Sequence, residues 1–536
     1  MSPGARVLLV LCGLTGACAK DPDYKSAAGR GGGSGRGNTG TGGGVAGAGG
    51  GGGSGDIAGR GGNAAPSDGV LQHHNHASRD GVFVDPLLTK VAAATMQLDP
   101  TFAPAYTGAV YAQPLYLDGA AGKPDLVYVA TEQNHVLAYD AATGQQAWER
   151  ALGSQAIRTN TCGVGAYGIT GTPIIDGATR VLYVDALTGG DVHKHLVFAL
   201  DADTGAIRPG WPVDVDATAR TGTLAFTSRT QNQRGALALL DGTLFIPYGA
   251  FPGDCDDYHG WVVGIATADP THVIAWATRA RGGGVWAPGG ISSDGSAIYF
   301  ATGNTGATSW GDGEGVFKLS PMLEPSTDST DYFAPVNWLD LDQADADLGV
   351  TAPVPIDMPG APTSQLLALF GKDKNLYLLD RNNLGGVGAP LFASPVLWYA
   401  VISAHAVYTT RSGTYIVSRG PEYGCESIAA GAYLFGARIA PTSPPTVTIP
   451  WCQTSTVSTG APSVSMVDAD GTDALVWLVD GGGVLYAIDG ESGAVVLATP
   501  AGTITDVARF QPPIIRKGRV FVAGNSRLYA FKPGSG

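Results

Sequence analysis

The chain has 536 residues, 44% of them hydrophobic, 15% charged and 80 of them glycine. A formal charge of −14 removes the clustered cations that a nucleic-acid groove needs, and no apolar run after residue 20 is long enough to span a bilayer. Low charge, abundant glycine and many Val, Tyr and Thr predict short strands and tight turns, and no long segment carries the 3.6-residue apolar period of a helix.

Residues 1–17 read as an export signal: Arg6 is the positive start, 7–14 the apolar stretch, and Thr15, Gly16 and Ala17 the small residues before Cys18. A small-residue run ending in cysteine resembles a bacterial lipoprotein cleavage site, which implies a lipid on Cys18 and membrane attachment through that anchor alone. Residues 18–65 follow as a tether, made over 29–63 chiefly of Gly with Ser, Ala, Thr, Asn and three Arg. Such a tract buries too little apolar surface to offset its ordering entropy, and it is expected to act as a flexible spacer. Cys12 leaves with the signal. Cys162, Cys255, Cys425 and Cys452 remain, an even number suited to two disulfides in an oxidising compartment. None lies in a CxxC pair, which argues against zinc.

From residue 66 to 536 a two-strand unit recurs. Its clearest copy is Leu126-Val-Tyr-Val-Ala130, then His135-Val-Leu-Ala-Tyr-Asp140, then Thr143-Gly144 and Trp148. Further copies begin at Val181 and Leu196, Thr243 and Trp261, Ala297 and Gly315, Leu366 and Asn375, Tyr415 and Ala432, Leu475 and Val484, and Arg519 and Arg527, making eight. A shorter strand precedes each pair and an outer strand follows most, so each unit predicts a four-stranded antiparallel blade. The whole predicts an all-β, eight-bladed β-propeller. The eighth copy lacks an outer strand, and residues 91–98 are expected to supply it and close the ring, since an unpaired edge is costly.

Two stretches make a family resemblance specific. The pattern Ala-x-Asp-x-x-Thr-Gly-x-x-x-Trp over 138–148 resembles the repeat of pyrroloquinoline-quinone (PQQ) propellers. Gly282-Gly-Gly-Val-Trp286 through Ala301-Thr-Gly-Asn304 is similar to the cofactor region of quinoprotein alcohol dehydrogenases. The resemblance implies PQQ and Ca²⁺, with Trp286 stacking under the quinone, Asn304 as a calcium ligand, Lys372 contacting the quinone oxygens, and Asp345 or Asp347 as the catalytic aspartate. The chain also departs from the family. The adjacent cysteine pair and the haem-attachment motif are absent, Tyr111 stands in place of a cofactor-contacting glutamate, and Asp191 is the nearest acid to the missing calcium-binding glutamate. Ca²⁺ wants several oxygen ligands, so the implied metal site is depleted.

Loops between second and third strands, and connections between blades, open on one face of a propeller. On that face Cys162 and Cys255 fall on neighbouring blades and Cys425 and Cys452 flank blade six, so the pairings Cys162–Cys255 and Cys425–Cys452 are expected. Asp254, Asp256, Asp257 and His259 form a polar rim loop, read either as a cation- or sugar-binding edge or as a solvated turn. His193 and His195 are read as polar surface rather than metal ligands, and residues 75–80 as a lead-in that packs against the propeller. Function is expected to be ligand or partner binding, or scaffolding, through the loop face at the cell envelope, outer membrane or periplasm, with an envelope protein, small molecule or glycan as partner. A PQQ-dependent alcohol or sugar dehydrogenase is the alternative.

Overall fold

The computed structural model describes residues 68–534 except 160–162, 191, 255, 398–399, 421–432 and 455–459. The strands form eight sheets of four or five strands, with two short two-stranded ribbons beside them. Numbered along the chain, the blades centre on Leu126–Ala130 with His135–Asp140, Val181–Thr188 with Lys194–Asp201, Thr243–Ala250 with Trp261–Ala266, and Ile298–Ala301 with Val316–Leu319. Blades five to eight centre on Gln365–Phe370 with Asn375–Asp380, Gly413–Arg419 with Tyr433–Ala440, Leu475–Val479 with Leu485–Asp489, and Arg519–Ala523 with Leu528–Pro533. These are the eight sequence repeats in order.

Central strands read as unbroken apolar runs because both faces are buried. In Leu126–Ala130, Val127 and Val129 enter the cluster shared with blade 8, beside Val520 and Phe521. Leu126, Tyr128 and Ala130 enter the cluster shared with blade 2, beside Leu182 and Phe198. Successive side chains point to opposite faces, so the period of two alternates between two apolar interfaces instead of core and solvent.

The Asp-x-x-Thr-Gly turn is held locally. Asp140 accepts from the amides of Ala142 (2.9 Å) and Thr143 (2.8 Å), and Gly144 takes φ +74°. The tryptophan that follows locks neighbouring blades. Trp148 donates from Nε1 to the Ala202 carbonyl of blade 2 (3.0 Å), and its ring fills the place a side chain at Gly205 would need. Trp451 of blade 6 repeats this on blade 7, donating to the Gly490 carbonyl at 2.8 Å and packing over Gly493.

The N-terminal side closes the ring. Met96–Leu98 pairs with Leu528–Pro533 as the outer strand of blade 8, in the register Met96↔Pro533 and Leu98↔Phe531. Only the end of the 91–98 segment is extended, because Lys90–Ala94 is a short helix capped by Thr89.

Residues 69–85 run along the inner strand edges as a plug. Gly69–Val70 pairs with blade 1, and Ile175 of blade 2 donates to the Leu71 carbonyl. Arg79 donates to the carbonyls of Leu237 (2.6 Å) and Ile291 (2.9 Å) at blades 3 and 4. Val407 of blade 6 donates to the Asp80 carbonyl. Val82–Val84 runs parallel to Ser463–Met466 of blade 7, and Gly518 of blade 8 donates to Asp85 Oδ2 at 2.7 Å. The plug thereby bonds to inner-edge groups of blades 1–4 and 6–8. The expected lead-in does pack against the propeller, with His76 half-buried and the two histidines just before it fully buried. His73 and His74 stack at 4.6 Å, and they are as buried as His405 at the start of blade 6. Burial lowers all three, His74 to about 4 and His405 to about 3.

Candidate functional site

Turns between second and third strands, and connections between blades, gather a group of polar and aromatic side chains around Trp286. Trp286 lies in the connection from blade 3 to blade 4 and is half-buried. The glycines before it are needed for close approach. A Cβ on Gly282 would lie 2.7 Å from the Asn304 carbonyl, and one on Gly284 would lie 3.1 Å from Gly249 Cα. Gly283 donates to the Asn304 carbonyl at 2.7 Å, which fixes the tryptophan segment against the 304 turn.

The connection from blade 4 to blade 5 carries Asp345 and Asp347, and the turn inside blade 5 carries Lys372. Its ammonium is ion-paired to Asp347, lies 3.0 Å from Asp345 and sits 5.3 Å from the Trp286 ring centroid. Burial opposes the charge on Lys372, but the two carboxylates hold its pKa above the usual lysine range. Asp347 is buried, and its other oxygen accepts from the Asn304 amide at 2.8 Å. Beside it Glu314 is fully buried and accepts from the Leu348 amide at 2.5 Å through one oxygen, while its other oxygen has no partner. Burial and the neighbouring Asp347 push Glu314 well above the usual carboxylate range.

Thus Trp286, Asn304, Lys372, Asp345 and Asp347, which the sequence singled out separately, meet in one place. Asn304 reaches Asp347 through its backbone amide.

Other residues join them, of which only Tyr111 carried a sequence signal. Arg234, in the connection from blade 2 to blade 3, sits 5.0 Å from the Trp286 ring centroid. Tyr167, between blades 1 and 2, is within electrostatic reach of Arg234, Arg158, Glu132 and Tyr111. Glu132 accepts from the Gly168 amide (2.6 Å) and the Thr170 hydroxyl (2.7 Å), and burial pushes it up to about 7. Tyr111 is half-buried with its ring tilted against Phe510 at 6.3 Å. Lone Arg, Tyr and Glu residues in loops follow no period, so only the fold brings them together.

The rim loop is largely self-satisfied. Asp254 accepts from the Tyr258 hydroxyl at 3.0 Å, Asp257 pairs with Arg281 at 3.0 Å, and His259 Nδ1 lies 2.8 Å from the Thr278 carbonyl. Asp256 lies 3.6 Å from Arg158. Asp254 is also within reach of Arg234 and Lys372. Of the cysteines expected to pair, Cys452 lies on Thr446–Thr454 of blade 6. Cys18, Cys162, Cys255 and Cys425, together with Asp191, lie outside the described residues.

The surface reading of His195 is corrected. Its strand is covered by blade 3, so the ring is fully buried, with Nδ1 2.7 Å from Asp185 Oδ1 and Nε2 3.1 Å from the Gln231 carbonyl. Burial lowers its pKa, but Asp185 and the carbonyl overcome that and raise it. His193 is half-buried.

The described donors do not fit the calcium implied by the family resemblance. Asp347 is committed to Lys372 and the Asn304 amide, and among the described residues no three His, Cys, Asp or Glu side chains converge as a metal site. A hard cation with 6–8 oxygen ligands is not provided for there. The Trp286 ring is instead an aromatic platform edged by Lys372 and Arg234.

Residues 109–245 match the family described as outer membrane protein assembly factor BamB. No curated protein matches the chain in sequence. Among solved structures, the quinohemoprotein alcohol dehydrogenase from Comamonas testosteroni aligns with TM-score 0.57 and 15% identity, over 88% of this chain and 82% of that one. A quinohemoprotein alcohol dehydrogenase from Pseudomonas putida HK5 aligns with TM-score 0.60 and 12% identity, over 88% and 81%. A europium-containing methanol dehydrogenase aligns with TM-score 0.59 and 13% identity, over 87% and 98%.

Proposed function

Given an eight-bladed propeller with the fold of quinoprotein alcohol dehydrogenases, we propose that this chain is an exported binding propeller, tethered through a lipid on Cys18. Its loop face holds a ligand or envelope partner around Trp286. One observation carries this reading over the dehydrogenase alternative. Asp347, one of the two aspartates a quinoprotein mechanism could use as a free base, is buried in an ion pair with Lys372 and accepts the Asn304 amide, and Asp345, the other, lies 3.0 Å from the same ammonium. A general base must reach its proton with a free lone pair. The match to an assembly-factor family over 109–245 supports the same reading.

The test is a titration of the full-length protein with PQQ and Ca²⁺, followed by absorbance and indole fluorescence, with Trp286→Ala and Asn304→Ala as controls. We expect no saturable binding at micromolar cofactor. Saturable binding that both variants abolish, together with dye reduction dependent on an alcohol or sugar, would overturn the proposal in favour of the dehydrogenase.

A further inference from the structure

The ion pair between Lys372 and Asp347 has the parts of a bond-forming site. The Lys372 amide donates to the Asp347 carbonyl at 2.9 Å, so the two backbones are held together as well as the two side chains. The Asp347 side chain is 4% exposed, whereas that of Asp345, which also touches Lys372, is 69% exposed. Water therefore solvates Asp345 and is largely excluded from Asp347. The Asn304 amide donates to Asp347 Oδ1 at 2.8 Å, which polarises the carboxyl group and leaves Oδ2 facing the ammonium. Glu314 is the third member. It is fully buried and anchored on the amide of Leu348, the residue after Asp347. Its Oε1 has no partner among the described residues, and its carboxyl group is within electrostatic reach of both Asp347 and Lys372. A buried oxygen without a donor is costly, and one held beside an amine and a second carboxyl group is placed to move protons between them.

We propose that Lys372 and Asp347 condense autocatalytically into an intramolecular isopeptide bond, with Glu314 relaying the protons. In the ion pair the ammonium first gives a proton to Asp347 Oδ2. The neutral amine then attacks Asp347 Cγ, forming the C–N bond and pushing an electron pair onto Oδ1, where the Asn304 amide meets it. Glu314 takes a proton from the attacking nitrogen and passes it to the Oδ2 hydroxyl, the Cγ–Oδ2 bond breaks, and one water leaves. Glu314 ends as it began. One ammonium and one carboxylate become one amide and one water, with no oxidant, reductant or cofactor. Two features favour that direction. Groups held in contact by the fold need no encounter, and the amide removes two charges whose burial is costly. The bond fastens the connection between blades 4 and 5 to the turn inside blade 5, and it forms whatever the loop face binds.

Peptide mapping of the full-length protein, folded and then fully denatured, tests the bond. Trypsin has no cleavage site between Lys318 and Lys372, so digestion continues with chymotrypsin, which cuts after Leu348 and Phe370 and separates the two residues. The peptides bearing Asp347 and Lys372 are expected as one branched species, lighter than their sum by one water, with fragmentation assigning the link to that pair. Glu314→Gln is expected to lower the linked fraction by about tenfold or more, and Lys372→Arg to abolish the link while keeping a cation beside Asp347, both with unchanged circular dichroism. Separate peptides of full mass from the unaltered protein overturn the proposal. So does a link through Asp345, or a link retained in full by a folded Glu314→Gln. The mapping of the unaltered protein stands even where a variant fails to fold.

Discussion

Replacing Arg79 with methionine tests whether the plug stabilises the ring or merely occupies it. Arg79 is buried at 1% exposure and donates to four acceptors: the carbonyls of Leu237, Ile291 and His73, and Oε1 of Gln72. Methionine keeps most of the aliphatic stem and removes every donor. A hydrogen bond to a charged group contributes about 1.5–3 kcal/mol, so the gross loss is large. Relief of the buried guanidinium's desolvation returns several kcal/mol of it, and the net destabilisation is about 3–5 kcal/mol. Unfolding entropy scales with length and is roughly 1 kcal/mol/K for a propeller of this size, so the melting temperature should fall by about 3–5 °C. Calorimetry measures that shift. Hydrogen exchange localises it, because the Ser293 amide donates to the Ala77 carbonyl and the Ile175 amide to the Leu71 carbonyl, and both should lose protection. A melting temperature within about 1 °C of the parent, with both amides still protected, would refute the idea that the plug bears on stability.

Acid should loosen the same region. The folded state holds His74 at about 4 and His405 at about 3, whereas an unfolded histidine titrates near about 6.5. Between those values the unfolded chain binds more protons, so stability should hold at neutral pH and fall as pH drops from about 6.5 towards 4. His405→Phe should flatten that slope in melting curves, and an unchanged slope would show that other groups set it. At the blade lock, Gly205 has φ +69° and a Cβ there would lie 2.5 Å from the Trp148 ring, whereas Gly360 has φ +86° and open space around it. Gly205→Ala should therefore cost about 2–4 kcal/mol, combining backbone strain with overpacking. Gly360→Ala should cost about 1 kcal/mol from strain alone, and equal urea midpoint shifts would contradict the docking role of Trp148.

The blades were legible because each central strand answers to two interfaces at once. Leu126 to Ala130 must be apolar on both faces, and Asp140, Gly144 and Trp148 each have a fixed local task, so the pattern recurs wherever the geometry recurs. Ring closure was legible by elimination, as an edge needing a partner, but the helix at Lys90–Ala94 was not, because five residues are too few to show a period. The misread of His195 has a similar cause. Alternation with His193 suggested an exposed face, yet that face meets blade 3, and a buried His195–Asp185 pair leaves no trace in local sequence. Asp347 and Lys372 were found through the resemblance, while Arg234 and Tyr167 had no motif to reveal them.

That difference explains why the fold speaks so little about function here. Strand residues are held by packing on both sides, so the blade pattern places fewer demands on the loop side chains. A loop position is then free to hold a residue that folding would select against. Arg234 is such a residue. Packed near Trp286, it makes no hydrogen bond or ion pair among the described residues, and burial lowers its pKa although Asp254 and Asp347 act against that. Asp347 is the opposite case, since its charge is matched by Lys372 and its second oxygen by the Asn304 amide. A charge already satisfied inside the protein supports the site's shape, and a charge left unsatisfied at its surface is the part still able to recognise something else.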